Sequence, residues 1–108
     1  MFVIVFKYLM PKWVRGLSLY PFVFLSCKED KYNYVLINHE KIHIRQQLEL
    51  AVVFFYIWYL VEFLVRYFQF KNVKNAYLNI SFEREAYQNE QNLIYLSNRP
   101  FFKFVSFF

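Results

Sequence analysis

"INHEKIHIRQQ", residues 37–47, holds both histidines of the chain. His39 and His43 stand four apart, and Glu40 directly follows the first. On a helix this spacing projects the two imidazoles from one face, one turn apart. Two imidazoles so placed can bind one tetrahedral ion, while the intervening glutamate faces a bound water rather than the metal. The surroundings favour a helix, because neither proline nor glycine occurs from Tyr34 until Pro100. We therefore expect one helix over 34–50 and a second, continuous with it or kinked, to about 68. "QFKNVKN" (69–75) reads as a polar connection. Asn79 and Ser81 offer N-caps for a last helix over 81–97, which should end before Pro100.

Ahead of this region, residues 2–9 and 17–25 are apolar and rich in β-formers, so a hairpin or one extended strand is expected. Pro21 makes the second piece an edge strand at best. "CKEDKYN" (27–33) reads as a loop. The expected fold is mainly α. An N-terminal strand or hairpin is followed by two or three helices, and the H-E-x-x-H helix packs against a C-terminal helix bearing glutamates. At 108 residues the chain is expected to be a single domain, 1–108.

Hydrophobic residues make up 58% of the chain and aromatic residues 25%, well above ordinary globular usage. Such a chain packs a very aromatic core or gives apolar surface to a membrane or partner. The run "LAVVFFYIWYLV" (50–61), read through to Phe68, has about the length of a short membrane helix. Glu62 and Arg66 interrupt it at a spacing that lets them pair. Phe54, Phe55, Trp58 and Leu60 are expected to supply apolar surface around that pair. The N-terminal "MFVIVFKYLM" lacks a basic leader and a small-residue cleavage site, so it makes a poor signal peptide. The formal charge of +5 suits an anionic surface. Basic residues are scattered and match no nucleic-acid motif, so a nucleic-acid partner is not expected. The lone Cys27 excludes an internal disulfide, and the lone Gly16 excludes a glycine-rich phosphate loop.

A catalytic metal takes three protein ligands and a water. With no third histidine, the third ligand should be a carboxylate, and "SFEREAYQNE" (81–90) offers Glu83 or Glu85.

H-E-x-x-H followed by E-x-x-A resembles the gluzincin metallopeptidases. Nearest in character are their integral-membrane groups, the HtpX-like and CAAX-prenyl proteases and the BlaR-type sensor proteases. Small bacterial proteins carrying H-E-K-I-H and F-E-R-E-A-Y are also similar. The resemblance covers residues 37–47 and 81–90. It implies zinc, with His39 and His43 as ligands, Glu40 as general base, Glu83 as third ligand and Ala86 as the matching alanine. Tyr87 stands where those peptidases usually carry an aspartate that orients a metal-binding histidine. A shifted match would make Glu85 the ligand. The implied activity is peptide hydrolysis, with a peptide or protein substrate. The implied location is membrane-associated or cytoplasmic, the bacterial inner membrane favoured. Oligomeric state is left open.

Tyr87 and Arg84 are candidate oxyanion donors, and Gln46 could orient a ligand carboxylate, although a solvated or inter-helix hydrogen bond is the plainer reading. The strand at 17–25 could pair with an extended peptide. Glu49 and Glu90 read as exposed, and Cys27 as a half-buried thiol. The alternative is a small membrane-associated protein whose metal is purely structural, with Cys27 or Glu85 as a fourth ligand and no catalysis.

Overall fold

The computed structural model describes residues 2–6 and 15–108. Pro11 and the expected strand residues 7–9 lie outside them. Three short strands come first: β1 (Phe2–Val5), β2 (Gly16–Leu19) and β3 (Phe22–Leu25). Their order is β1-β3-β2, with β1 parallel and β2 antiparallel to β3. The expected single strand over 17–25 is thus a hairpin, turning at Tyr20–Pro21, whose peptide is cis. Pro21 sits in the turn, where its missing N–H costs no ladder bond. The piece after it is therefore the central strand, not an edge. Alternation sends Ser18, Val23 and Leu25 inward, while Leu17 and Leu19 remain exposed.

"CKEDKYN" is not a plain loop, since Lys28–Tyr32 forms a 3₁₀ turn. Asn33 then caps α1 (Tyr34–Glu49), its side chain accepting the Leu36 N–H at 3.1 Å. The helix buries a polar stripe: Asn38, His39, Glu40, His43, Gln46 and Gln47. Groups of this kind go inside only where partners await them. α1 ends as Ala51 and Val52 both turn to φ 54°. The chain leaves the helix there, so α2 (Val53–Phe70) is a separate element rather than a continuation.

α2 has its charged residues inside and many of its apolar ones outside. Glu62 is buried, whereas Phe54, Ile57, Val61, Leu64 and Phe68 are exposed at helical spacing. Phe55 departs from the expected apolar surface: it joins Ile80, Phe82 and Phe104 in the core, and Trp58 packs against that cluster. Phe82 is central, its ring centroid 4.4 Å from that of Phe55 and 4.7 Å from that of Phe104.

The expected polar connection 69–75 is shorter than its composition suggests. α2 runs to Phe70, and α3 (Val73–Leu78) starts at once, with Asn72 accepting the Asn75 N–H. Asn79 closes α3 instead of opening α4 (Ser81–Asn89). Ser81 is the first residue of α4 rather than its cap. That end is capped from outside by Glu62, which accepts the Ser81 N–H and O–H, each at 2.6 Å. The negative carboxylate also suits a helix N-terminus. Arg66 pairs with Glu62 at 3.6 Å, as the spacing predicts.

α4 stops at Asn89, eight residues before the expected end at 97. The Asn38 amide donates to the carbonyls of Glu90 and Asn92 at 2.8 and 2.9 Å and approaches that of Asn89 at 3.4 Å. A turn held this way leaves α4, and α5 (Tyr95–Asn98) follows as a separate piece. The tail folds back, placing Phe104 in the core. Buried Arg99 pairs with both Glu49 and Glu85. The expected exposure of Glu49 is thereby corrected: its carboxylate binds the Arg99 guanidinium and accepts the Phe102 N–H.

Candidate metal centre

α1 and α4 pack together and bring His39, His43 and Glu83 into one buried group. His39 Nε2 lies 3.1 Å from His43 Nε2 and 3.2 Å from Glu83 Oε1, and His43 Nε2 lies 2.9 Å from that oxygen. Four ligands placed tetrahedrally at about 2 Å from an ion are roughly 3.3 Å apart, so the triangle has the size such an ion requires.

The outer side of each ring says which atoms face the triangle. His39 Nδ1 meets Glu90 Oε2 at 3.1 Å. An ionised carboxylate only accepts, so Nδ1 carries the hydrogen. His43 Nδ1 meets Gln46 Oε1 at 2.8 Å, while the Gln46 amide N–H₂ serves Phe82 O and Glu85 Oε1. Gln46 must accept there as well. Both Nε2 atoms therefore turn lone pairs toward each other and toward a carboxylate oxygen. Three acceptors this close need a cation among them, a proton or a metal ion. The group could hold a metal ion on this donor set.

Electrostatics agree. Burial alone would lower the His39 imidazole, but hydrogen bonds to Glu83 and Glu90 outweigh it and raise it to about 10. Burial pushes the Glu83 carboxyl up, yet His43 and the imidazole hydrogen bonds hold it well below the usual carboxylate range. Glu40 is raised by burial, against the pull of the two histidines. Its Oε2 is buried and has no hydrogen-bond partner among the described residues. A buried acceptor left unmatched is costly, so its place beside the triangle points to an incoming donor such as water.

Gly16 fixes where that carboxylate sits: a Cβ there would lie 2.9 Å from Glu40 Oε1. Two cavities flank Glu40. The larger, about 260 Å³, is lined by His39, Glu40, Gly16, Arg15, Tyr87 and Glu90 among others. The smaller, about 100 Å³, is walled by Ser18, Phe55, Tyr56 and Tyr59 beside His43 and Glu83. Tyr77 lines both.

Glu85 is not in the group. Two residues from Glu83, it points across α4 to Arg99, Tyr95 and Gln46. Gln46 makes the expected inter-helix bond, but it steadies a histidine and Glu85 rather than the ligand carboxylate. Tyr87 lays its ring edge-on to His39 at 4.4 Å, and Arg84 lines neither cavity. Cys27 is exposed and lies outside the group, which corrects the half-buried reading. Glu90, expected to be exposed, has only 21% of its side chain accessible and binds His39. Sequence reasoning also missed Tyr59, whose hydroxyl donates to Glu83 Oε2 at 2.8 Å. Local spacing around the histidines could not have found either one, because Glu90 caps the far end of α4 and Tyr59 reaches the site from α2.

Comparisons of the chain with protein families, curated proteins and solved structures found no match.

Proposed function

We propose that this protein is a zinc-dependent peptidase. His39, His43 and Glu83 hold the ion, and Glu40 is the general base. The observation that carries the reading is the convergence of three acceptor atoms beside a buried carboxylate oxygen with no hydrogen-bond partner among the described residues. When bound, zinc lowers the pKa of a water and polarises the scissile carbonyl. Glu40 accepts the water proton and returns it to the leaving amine. Burial raises the Glu40 carboxyl above its ordinary value, against the pull of the two histidines. Tyr77 lines both cavities with Glu40 and is the oxyanion donor in this reading, in place of Tyr87 or Arg84. Burial and the nearby Glu83 charge raise its hydroxyl, so it stays protonated.

The substrate is an extended peptide pairing at the Gly16 end of β2, since the edge groups beyond it are taken: the Tyr20 N–H donates to Gln47 Oε1. In the β2–β3 register, Gly16 and Ser18 turn their backbone groups the same way, and Ser18 O accepts from Gln47 and Tyr56 rather than from β3. Gly16 turns toward the cavities, where a strand could add to the edge. The structural-metal alternative needs a fourth protein ligand, and neither Cys27 nor Glu85 reaches the group.

Glu40→Gln keeps the shape and removes the base. It should retain zinc in stoichiometric metal analysis and lose peptide hydrolysis by roughly 10²–10⁴-fold. His39→Ala should lose both. Absence of metal from the unmodified protein, or full hydrolysis by Glu40→Gln, would overturn the reading.

We also propose that the protein works at a membrane surface. α2 is long and apolar enough to cross a membrane by length and composition, and only 11% of it is buried. Both of its charged residues, Glu62 and Arg66, are largely withdrawn from solvent, as a lipid-facing helix requires.

A further inference from the structure

We infer that Glu90 is the positioning residue for His39, holding the imidazole in the orientation and tautomer that a metal needs. The inference rests on the metal-centre reading above.

Geometry provides the first ground. His39 Nδ1 donates to Glu90 Oε2 at 3.1 Å, and the opposite ring nitrogen enters the triangle with His43 and Glu83. A carboxylate on Nδ1 leaves Nε2 as the ligand atom and raises its basicity. No other carboxylate bonds to His39 Nδ1 among the described residues. Tyr87 lies against the same ring, but its hydroxyl pairs with that of Tyr77 at 3.3 Å.

The second ground is how Glu90 is held. It closes α4, where a side chain could swing out to solvent. The amide of Asn38, the buried neighbour of His39, donates to the Glu90 carbonyl at 2.8 Å and to the Asn92 carbonyl at 2.9 Å. The residue preceding His39 thus anchors the backbone of the residue that orients it. The two histidines are held differently: a charged carboxylate holds His39, and a neutral amide, Gln46, holds His43. A carboxylate partner makes the stronger hydrogen bond, so His39 should depend more on its partner.

The test measures zinc affinity by chelator competition for Glu90→Ala and Glu90→Gln. It also follows the His39 Nδ1–H proton by NMR with and without zinc. Glu90→Ala should weaken zinc about 10–100-fold. Glu90→Gln, which keeps an acceptor, should lose less. The slowly exchanging His39 Nδ1–H signal should vanish in Glu90→Ala. Tyr87→Asp added to Glu90→Ala puts a carboxylate back beside the ring and should recover part of the affinity. Parent-like zinc affinity in Glu90→Ala, or an unchanged Nδ1–H signal, would overturn the inference. If the parent takes up no zinc, the metal reading fails, and the Nδ1–H signal of the metal-free protein alone decides the role of Glu90.

Discussion

On the metal reading proposed above, His39 is the residue at which folding and metal binding compete for one position. Its metal-free pKa near 10 lies above the ordinary 6.5, so the proton it holds stabilises the fold. That stabilisation is complete below 6.5 and is lost as pH climbs through about 10. Denaturation of the chelator-treated protein at pH 6, 8 and 10 should therefore show a decline across this window. Zinc must displace the same proton, so its affinity should rise across it, about tenfold per pH unit for each proton released. A flat zinc affinity between pH 6 and 9 would mean that His39 is already deprotonated in the free protein. His39, Glu40 and His43 were legible from spacing alone, because one helical turn sets their geometry. Helix order left Glu83 and Glu85 both open, and only the resemblance to E-x-x-A preferred Glu83. Glu90, Gln46, Tyr59 and Tyr77 were not assigned these roles, since a glutamate or tyrosine carries no mark of its partner. His39 and Glu90 are 51 residues apart, and only the packing of α4 on α1 joins them.

At the scale of elements, the C-terminal segment acts as a strap on the candidate metal centre. Arg99 ties Glu49 at the end of α1 to Glu85 on α4, and Glu85 receives the Gln46 amide that steadies His43. All three side chains of the ion pairs are at most 2% accessible. Removing one member of such a group strands the others without water. Arg99→Ala should cost roughly 3–5 kcal/mol in urea unfolding. Zinc should weaken with it, because Gln46 loses its fixed support. Arg99→Ala with unchanged stability would show the pairs to be superficial. Helix content was readable from the unpunctuated stretch after Tyr34, and so were the bounds of α1, expected over 34–50 and found over Tyr34–Glu49, but the end of α4 was not. The break after α1 comes at Ala51 and Val52, residues that carry no turn signal in the sequence. Glu62 caps α4 from α2 across 19 residues, so the Ser81 signal misled by one position. Pro21 was read as a limit on strand pairing, although in this hairpin it makes the turn.

For the whole molecule, the unusual distribution of apolar surface is the main feature. Large hydrophobic side chains stand exposed along α2, on the outer face of the sheet at Ile4, Leu17 and Leu19, and on the tail at Phe101 and Phe108. Exposed apolar area of this extent usually marks an interaction surface. The purified protein should cosediment with vesicles of mixed zwitterionic and anionic lipid. High salt should weaken this only in part, because the apolar faces contribute beside the +5 charge. Replacing Phe54, Ile57 and Val61 together by serine should release the protein, and Glu62→Leu should not. A detergent-free, monomeric protein that ignores vesicles would make α2 a surface for something other than lipid. Composition announced the aromatic excess but could not say which rings face outward, as the buried Phe55 beside the exposed Phe54 illustrates.

The approach of Gly16 to Glu40 reaches further than its size suggests. A methyl group at residue 16 would meet the free end of the Glu40 side chain, and that flexible end would yield before the strand did. None of the three nitrogen and oxygen donors would be touched. On the reading proposed above, such a change would disconnect proton handling from ion retention. A hydrolase and a silent metal reservoir would then lie one carbon atom apart, and an evolving lineage could pass between them without rebuilding the fold.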